Sequence, residues 1–210
     1  MTFWILSTLV AVAALLASEA RGARAGIWIA KPLASTGFVA TALAAGATGS
    51  SYGRLVLLAL VLSWWGDVLL IPRSRVAFTA GLASFLAGHL AFAAGFLARG
   101  VAPLWLFVAA LALTVPARVV DRWLQPHVPA KLRVPVRAYF VAISAMVACA
   151  FGTFGLAGGR VLLLGALMFF FSDLAVARDR FVAHGFVNRL WGLPLYYGGQ
   201  LLLALSVARG

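Results

Sequence analysis

The chain has 210 residues, of which 64% are apolar and only 10% are charged, and its mean hydropathy is +1.03. Soluble domains are about half apolar and about a quarter charged, so this composition excludes a disordered chain and argues against a soluble globular domain. One cysteine excludes a disulfide framework and a cysteine-rich metal site. The composition is therefore that of an integral membrane protein.

Apolar runs long enough to cross a bilayer follow one another along the whole chain. They predict an all-α bundle of eight transmembrane helices, forming a single transmembrane domain over residues 1–210. The runs cover residues 2–18, 27–47, 54–71, 76–98, 102–120, 134–156, 160–178 and 189–208. The first run is interpreted as a helix and not as a secretory signal, because Arg21 and Arg24 follow it and no basic residue precedes it.

The basic residues alternate with these runs and so indicate the orientation. Thirteen of the seventeen lysines and arginines fall in the gaps after helices 1, 3, 5 and 7 or at their edges. Positively charged loops stay in the cytoplasm, so both termini are predicted on the non-cytoplasmic side of an inner or plasma membrane. The net charge of +12 is thus explained by topology, and we expect no nucleic-acid partner.

The fourth run has two different faces. Gly81, Gly88 and Gly95 recur every seven residues and form a stripe along which another helix can approach closely. Aromatic residues and His89 follow helical spacing on a neighbouring face. The glycine stripe is interpreted as packing, with no function assigned to it.

Two of the five acidic residues lie inside predicted helices. Asp67 in SWWGDVLL and Asp173 in FFFSDLAVA are flanked by apolar residues, whereas Glu19, Asp121 and Asp179 lie at helix ends and are expected to be solvated. An ionised Asp near the bilayer centre costs about 2.5–3.5 kcal/mol, so Asp67 and Asp173 are functional candidates. Both lie at a similar depth, toward the cytoplasmic side, and can face each other across a cavity. The alternative is that each has only a structural role and binds an arginine or a backbone group.

Further polar residues lie near these carboxylates in the predicted bundle. The candidate binding residues are Lys31, His89, Tyr139, Tyr196 and Gln200. His89 and the two aspartates could in principle hold a metal, but no HxxxH or HxxE spacing is present, so neither a metal nor another cofactor is predicted. The motifs Gly66-Asp67 and Ser172-Asp173 also hint at a parallel repeat of four plus four helices.

An ordered set of motifs provides a family resemblance over nearly the whole chain. The motifs are KPLAST, SWWGDVLL, FTAGLASFLAGHLAF, YFVAISAM, FFFSDLAVARDRF and YYGGQLLLAL. Together they resemble the YhhN family of eight-helix membrane proteins, which includes the lysoplasmalogenases.

This resemblance implies hydrolysis of the vinyl ether bond of a lysophospholipid in the bilayer, giving a fatty aldehyde and a glycerophospho-headgroup. Such a reaction needs a proton donor and a group that stabilises a cation, and a carboxylic acid away from water can stay protonated near neutral pH. We therefore predict that Asp67 and Asp173 are catalytic, in an acid–base assignment that the sequence leaves open. His89, Tyr196 and Gln200 would position the headgroup or water, and Lys31 would meet the lipid phosphate.

Two other functional classes compete with this hypothesis. Intramembrane Asp and His residues also form proton relays, so a transporter or a lipid-binding protein without catalysis is the main alternative. Against a transporter, no pair of Pro- or Gly-broken segments is evident near mid-membrane. A purely structural bundle leaves the two intramembrane carboxylates unexplained.

Overall fold

The structure, a computed structural model, describes residues 1–72 and 74–209. This part of the chain is helical and contains no strand, and it holds all eight predicted helices. They are α1 (Thr2–Arg21), α2 (Arg24–Ala44), α3 (Ser51–Leu69), α4 (Arg75–Arg99), α5 (Pro103–Leu124), α6 (Arg133–Gly152), α7 (Gly159–Ala177) and α8 (Phe186–Ser206). Arg73, which was counted among the basic loop residues, lies outside the described residues.

All eight helices are long and apolar enough to cross a membrane, so the chain is a multi-pass membrane protein. The outer face of α5 shows the expected lipid-facing surface, because Leu104, Phe107, Leu111 and Val115 are all exposed. If this face of α5 were buried, its apolar side chains could not contact the lipid.

Six of the helices form a closed ring, and the other two lie outside it. Along the ring, α2 packs on α3, α3 on α4, α4 on α6, α6 on α7, α7 on α8, and α8 again on α2. Helix α1 packs against α2 and α8, while α5 packs against α6. Each half of the chain therefore contributes one outer helix followed by three ring helices.

The order of neighbours is the same in both halves. The pairs α1–α2, α2–α3 and α3–α4 correspond to α5–α6, α6–α7 and α7–α8, and the two junctions α4–α6 and α8–α2 correspond to each other. This arrangement agrees with the four-plus-four repeat that the paired Asp motifs suggested. Because four helices return the chain to the side where it started, equivalent residues of the two halves lie at the same depth.

Glycines allow the tightest helix pairs to form. The Gly81, Gly88 and Gly95 stripe of α4 faces α3, where a Cβ on Gly88 would lie 3.3 Å from the Ala59 carbonyl oxygen. The corresponding pair α7–α8 is closer still, because a Cβ on Gly199 would lie 2.8 Å from the Gly165 carbonyl oxygen. The packing role predicted for the α4 stripe is therefore confirmed.

Helix α2 begins earlier than predicted. Gly22, in a left-handed conformation, ends α1, and only Ala23 separates it from the start of α2 at Arg24. Lys31 therefore lies about two turns inside α2. This depth brings its side chain into the bundle.

Candidate active site

A cavity of about 550 Å³ lies within the ring, at the end of the bundle where α3, α5 and α7 finish. This end, called the basic end below, carries most of the lysines and arginines. The wall of the cavity includes Lys31, Asp67, Tyr139, Asp173 and Tyr196, together with apolar side chains. Both intramembrane carboxylates thus belong to one cavity, as expected from their depth.

Asp67 is surrounded by donors on both oxygens. Lys31 Nζ lies 3.2 Å from Oδ1, and both side chains are buried. Ser35 Oγ and Tyr196 OH each lie 2.6 Å from Oδ2. A cation and two hydroxyl donors all favour the ionised form of a carboxyl group, so these contacts stabilise Asp67 as a carboxylate.

Ser35 is positioned by the helix that carries Lys31. The two residues are four apart on α2 and so share a face, and Ser35 Oγ lies 3.0 Å from the Lys31 carbonyl oxygen. Tyr197 extends this cluster, with its hydroxyl 3.3 Å from Ser35 Oγ. Sequence reasoning assigned no role to Ser35, although its i+4 spacing from Lys31 was a usable signal.

Asp173 has a different environment. Tyr139 OH lies 2.6 Å and His89 Nε2 lies 3.2 Å from the same oxygen, Oδ2. In the described part of the chain, no hydrogen bond reaches Oδ1. The side chain of Asp173 is 15% exposed, against 3% for Asp67. Asp173 therefore has a phenol and an imidazole on one oxygen, and its second oxygen is available to a ligand.

The two carboxylates are held by equivalent helices of the two halves. Asp67 is contacted from α2 of its own half and from α8 of the other half. Asp173 is contacted from α6 of its own half and from α4 of the other half. The repeated architecture therefore builds two related carboxylate sites, and only the one in the first half contains a lysine.

Two predicted binding residues are not on the cavity wall. His89 is fully buried behind Asp173, and its Nδ1 atom has no partner among residues 1–72 and 74–209. Gln200 is also fully buried and lies 3.5 Å from Ser63 Oγ through its Nε2 atom. The other five candidate residues do line the cavity.

An ionic cluster forms part of the mouth of the cavity. Asp179, in a short π-helical turn after α7, is buried. It accepts hydrogen bonds from Asn188, the Gly185 backbone and Arg189, whose NH2 atom lies 2.9 Å from Oδ2. The prediction that Asp179 is a solvated loop charge was therefore wrong, because the start of α8 folds back over it. No group of three or more His, Cys, Asp or Glu side chains in the described residues is arranged to hold a metal ion.

Comparison with known proteins identifies the family. The family model described as the YhhN family matches residues 26–207. The chain belongs to the YhhN family. Among curated proteins, this YhhN-family chain is similar to "Lysoplasmalogenase TMEM86B" of Rattus norvegicus, with 35% identity over 163 residues. The match covers 78% of this chain and 65% of that relative, so the chain spans less than two thirds of the relative's length. No solved structure matches the chain.

Proposed function

We propose that this YhhN-family protein is a membrane-embedded hydrolase that cleaves the vinyl ether bond of lysoplasmalogen-type lysophospholipids. The products are a fatty aldehyde and a glycerophospho-headgroup. The observation that carries this proposal is a single apolar cavity in which one carboxyl group is paired with a cation and another has a free oxygen. The lysoplasmalogenase name of the 35% identical relative supports the same class of reaction.

The chemistry requires an acid and a negative charge, and no nucleophilic side chain, because water is the nucleophile. A proton added to the β-carbon of the vinyl ether turns the α-carbon and ether oxygen into an oxocarbenium ion. Water adds to the α-carbon and loses a proton, giving a hemiacetal. Its collapse breaks the bond to the glycerol oxygen, which leaves as a hydroxyl group. The sum is addition of one water, with no redox change.

We assign the two roles from the charged and neutral groups that surround each carboxylate. Lys31 offers one positive charge to Asp67, whereas the contacts of Asp173 come from a phenol and an imidazole. Hydrolysis needs one proton donor and one negative charge, and we assign the proton donor to Asp173, because its Oδ1 accepts no hydrogen bond within the described residues. Asp173 is then the general acid, through Oδ1, and becomes the base that takes the proton of the attacking water. Asp67 remains ionised and stabilises the oxocarbenium ion.

The neighbouring residues act as positioning groups. Tyr139 and His89 both hold Oδ2 of Asp173, which leaves Oδ1 directed to the substrate. Lys31, Ser35 and Tyr196 hold Asp67. Lys31 thus serves the carboxylate and not the lipid phosphate.

The position of the cavity suits an amphipathic substrate. Its apolar walls include Leu82, Phe85, Phe140 and Leu193, while exposed polar side chains stand at the basic end. We place the basic end on the cytoplasmic side, because most of the basic residues lie in the loops at that end. The alkenyl chain would lie among the apolar residues and the headgroup would face the cytoplasm.

The test is aldehyde release from a lysoplasmalogen in D2O by the protein purified in detergent. Protonation at carbon predicts one deuterium at the carbon next to the aldehyde group, and unlabelled aldehyde incubated in D2O corrects for exchange. Asp173→Asn and Asp67→Asn are each expected to lose at least about a hundredfold in kcat. Asp121→Asn removes an exposed carboxylate outside the cavity and is the matched control.

Several results would contradict the proposal. Full turnover in Asp67→Asn or Asp173→Asn would exclude the two-carboxylate mechanism. Aldehyde without added deuterium would exclude protonation at carbon. A folded wild-type protein that binds the lipid but releases no aldehyde would support the alternative of a non-catalytic lipid-binding or transport protein.

A further inference from the structure

One basic side chain of the cavity wall is available to a ligand. Arg180 is exposed to solvent and lines the cavity at the basic end. Its guanidinium carbon lies 4.2 Å from the centroid of the Phe78 ring. A cation over an aromatic face is held in place by the ring quadrupole, so the guanidinium is positioned although it is exposed.

The other basic groups of the wall already contact carboxylates. Lys31 lies 3.2 Å from Asp67, and Arg189 and His184 lie 2.9 Å and 3.3 Å from Asp179. All five acidic residues of the chain belong to residues 1–72 and 74–209, and no ion pair in this part of the chain involves Arg180. The positive charge of Arg180 is therefore not neutralised by a contact within this part of the protein.

We infer that Arg180 binds the phosphodiester of the lipid headgroup, an inference that rests on the proposed lysophospholipid substrate. A guanidinium presents paired N–H donors that match two phosphate oxygens. Arg180 and Asp173 are seven residues apart on the continuous helical segment of α7 and its π-helical turn, which is roughly 10 Å. In the substrate, one glycerol unit separates the phosphate from the vinyl ether. Together with the length of the arginine side chain, this unit is long enough for the phosphate to reach Arg180 while the vinyl ether lies at Asp173.

This assignment also explains how the cavity distinguishes the two ends of its substrate. The negative phosphate is attracted to Arg180 at the mouth, whereas the deeper Lys31 is already paired with Asp67. A headgroup held at the mouth directs the alkenyl chain inward, past Asp173. Arg180 therefore acts in binding and orientation and takes no part in the proton transfers.

The inference is tested by binding, independently of turnover. The probes are a non-hydrolysable alkyl-ether lysophospholipid, the corresponding alkylglycerol without phosphate, and free glycerophosphoethanolamine. Their Kd values are measured by thermophoresis for wild type, Arg180→Ala, Arg180→Lys and Arg122→Ala. Arg122 is an exposed arginine at the same end that does not line the cavity, so it provides the matched control.

Arg180→Ala is expected to weaken lysophospholipid binding about tenfold, with alkylglycerol binding unchanged within twofold. Arg180→Lys should recover part of the loss, and Arg122→Ala should bind like wild type. Equal lysophospholipid affinity in Arg180→Ala and wild type would overturn the inference, and so would an equal loss for both lipids. Tighter binding of free glycerophosphoethanolamine than of the lipid would mean a soluble phosphate ligand and would overturn the headgroup assignment. Arg180-dependent binding without aldehyde release would leave this inference standing and reject the proposed hydrolysis.

Discussion

The Lys31–Asp67 pair shows how strongly a buried charge depends on its partner. Replacement of Lys31 by Met leaves Asp67 without its cation, and breaking a buried pair in this way costs about 3–5 kcal/mol. We expect Lys31→Met to lower the Tm in detergent markedly. Lys31→Met/Asp67→Asn should recover most of the Tm without activity. If the Tm of the double variant is no higher than that of Lys31→Met, the broken ion pair is not the source of the lost stability.

The Tyr139 hydroxyl should matter for catalysis more than for stability. It lies 2.6 Å from Asp173 Oδ2. When Asp173 donates its proton to the substrate, this becomes a hydrogen bond to a charged group, which is worth about 1.5–3 kcal/mol. Tyr139→Phe is expected to lower kcat at least about tenfold with little change in KM. Tyr52→Phe is the control, because the Tyr52 hydroxyl bonds to Ser206 at the opposite end of the bundle. A similar fall of kcat in both variants would indicate a general loss of packing instead.

At the scale of elements, the α7–α8 pair sets the distance between the two carboxylate sites. A methyl group on Gly199 would meet the Gly165 carbonyl oxygen at 2.8 Å and the Phe169 amide nitrogen at 3.1 Å. Since both are backbone atoms, the helices must separate, and such overpacking costs about 1–3 kcal/mol. Gly199 is less than one turn from Tyr196, so a separation of the helices would move the Tyr196 hydroxyl out of line with Asp67.

Gly199→Ala is therefore expected to lower both Tm and kcat. Gly155→Ala is the matched control, because a Cβ at Gly155 meets nothing within 4 Å. Both quantities can be measured on one detergent preparation, by thermal unfolding and aldehyde release. Wild-type values in Gly199→Ala would show that the helices adjust without disturbing the site.

For the whole molecule, the charge asymmetry predicts a cytoplasmic basic end and an opposite end outside. Cysteine accessibility tests this in intact cells, in a Cys149→Ser background that removes the single native cysteine. A membrane-impermeant maleimide should label Gly155→Cys in intact cells and Ala130→Cys only after lysis, since both positions are exposed in loops at opposite ends. The reverse labelling pattern would invert the predicted topology, with the cavity mouth then outside the cytoplasm.

Much of the fold could be predicted because a bilayer restricts the choices. Apolar runs must become helices when no water can satisfy the backbone, and so all eight runs recur as helices. Asp67 and Asp173 could be predicted as functional candidates because an ionised carboxylate inside the bilayer costs free energy. Asp179 was misplaced because its burial depends on α8 turning back over it, a contact that local sequence does not encode.

The amino-acid sequence is enough to predict the class of molecule, the number of helices, the charge asymmetry and the intramembrane position of two carboxylates. These follow from transfer free energies that each residue carries wherever it lies. Only the tertiary structure decided that Lys31 and Ser35 hold Asp67, that His89 and Tyr139 hold Asp173, and that Arg180 is left with its charge available. Such pairings depend on which helices become neighbours in the ring. They join residues from 32 to 84 positions apart, and Tyr196 and Asp67 are 129 positions apart.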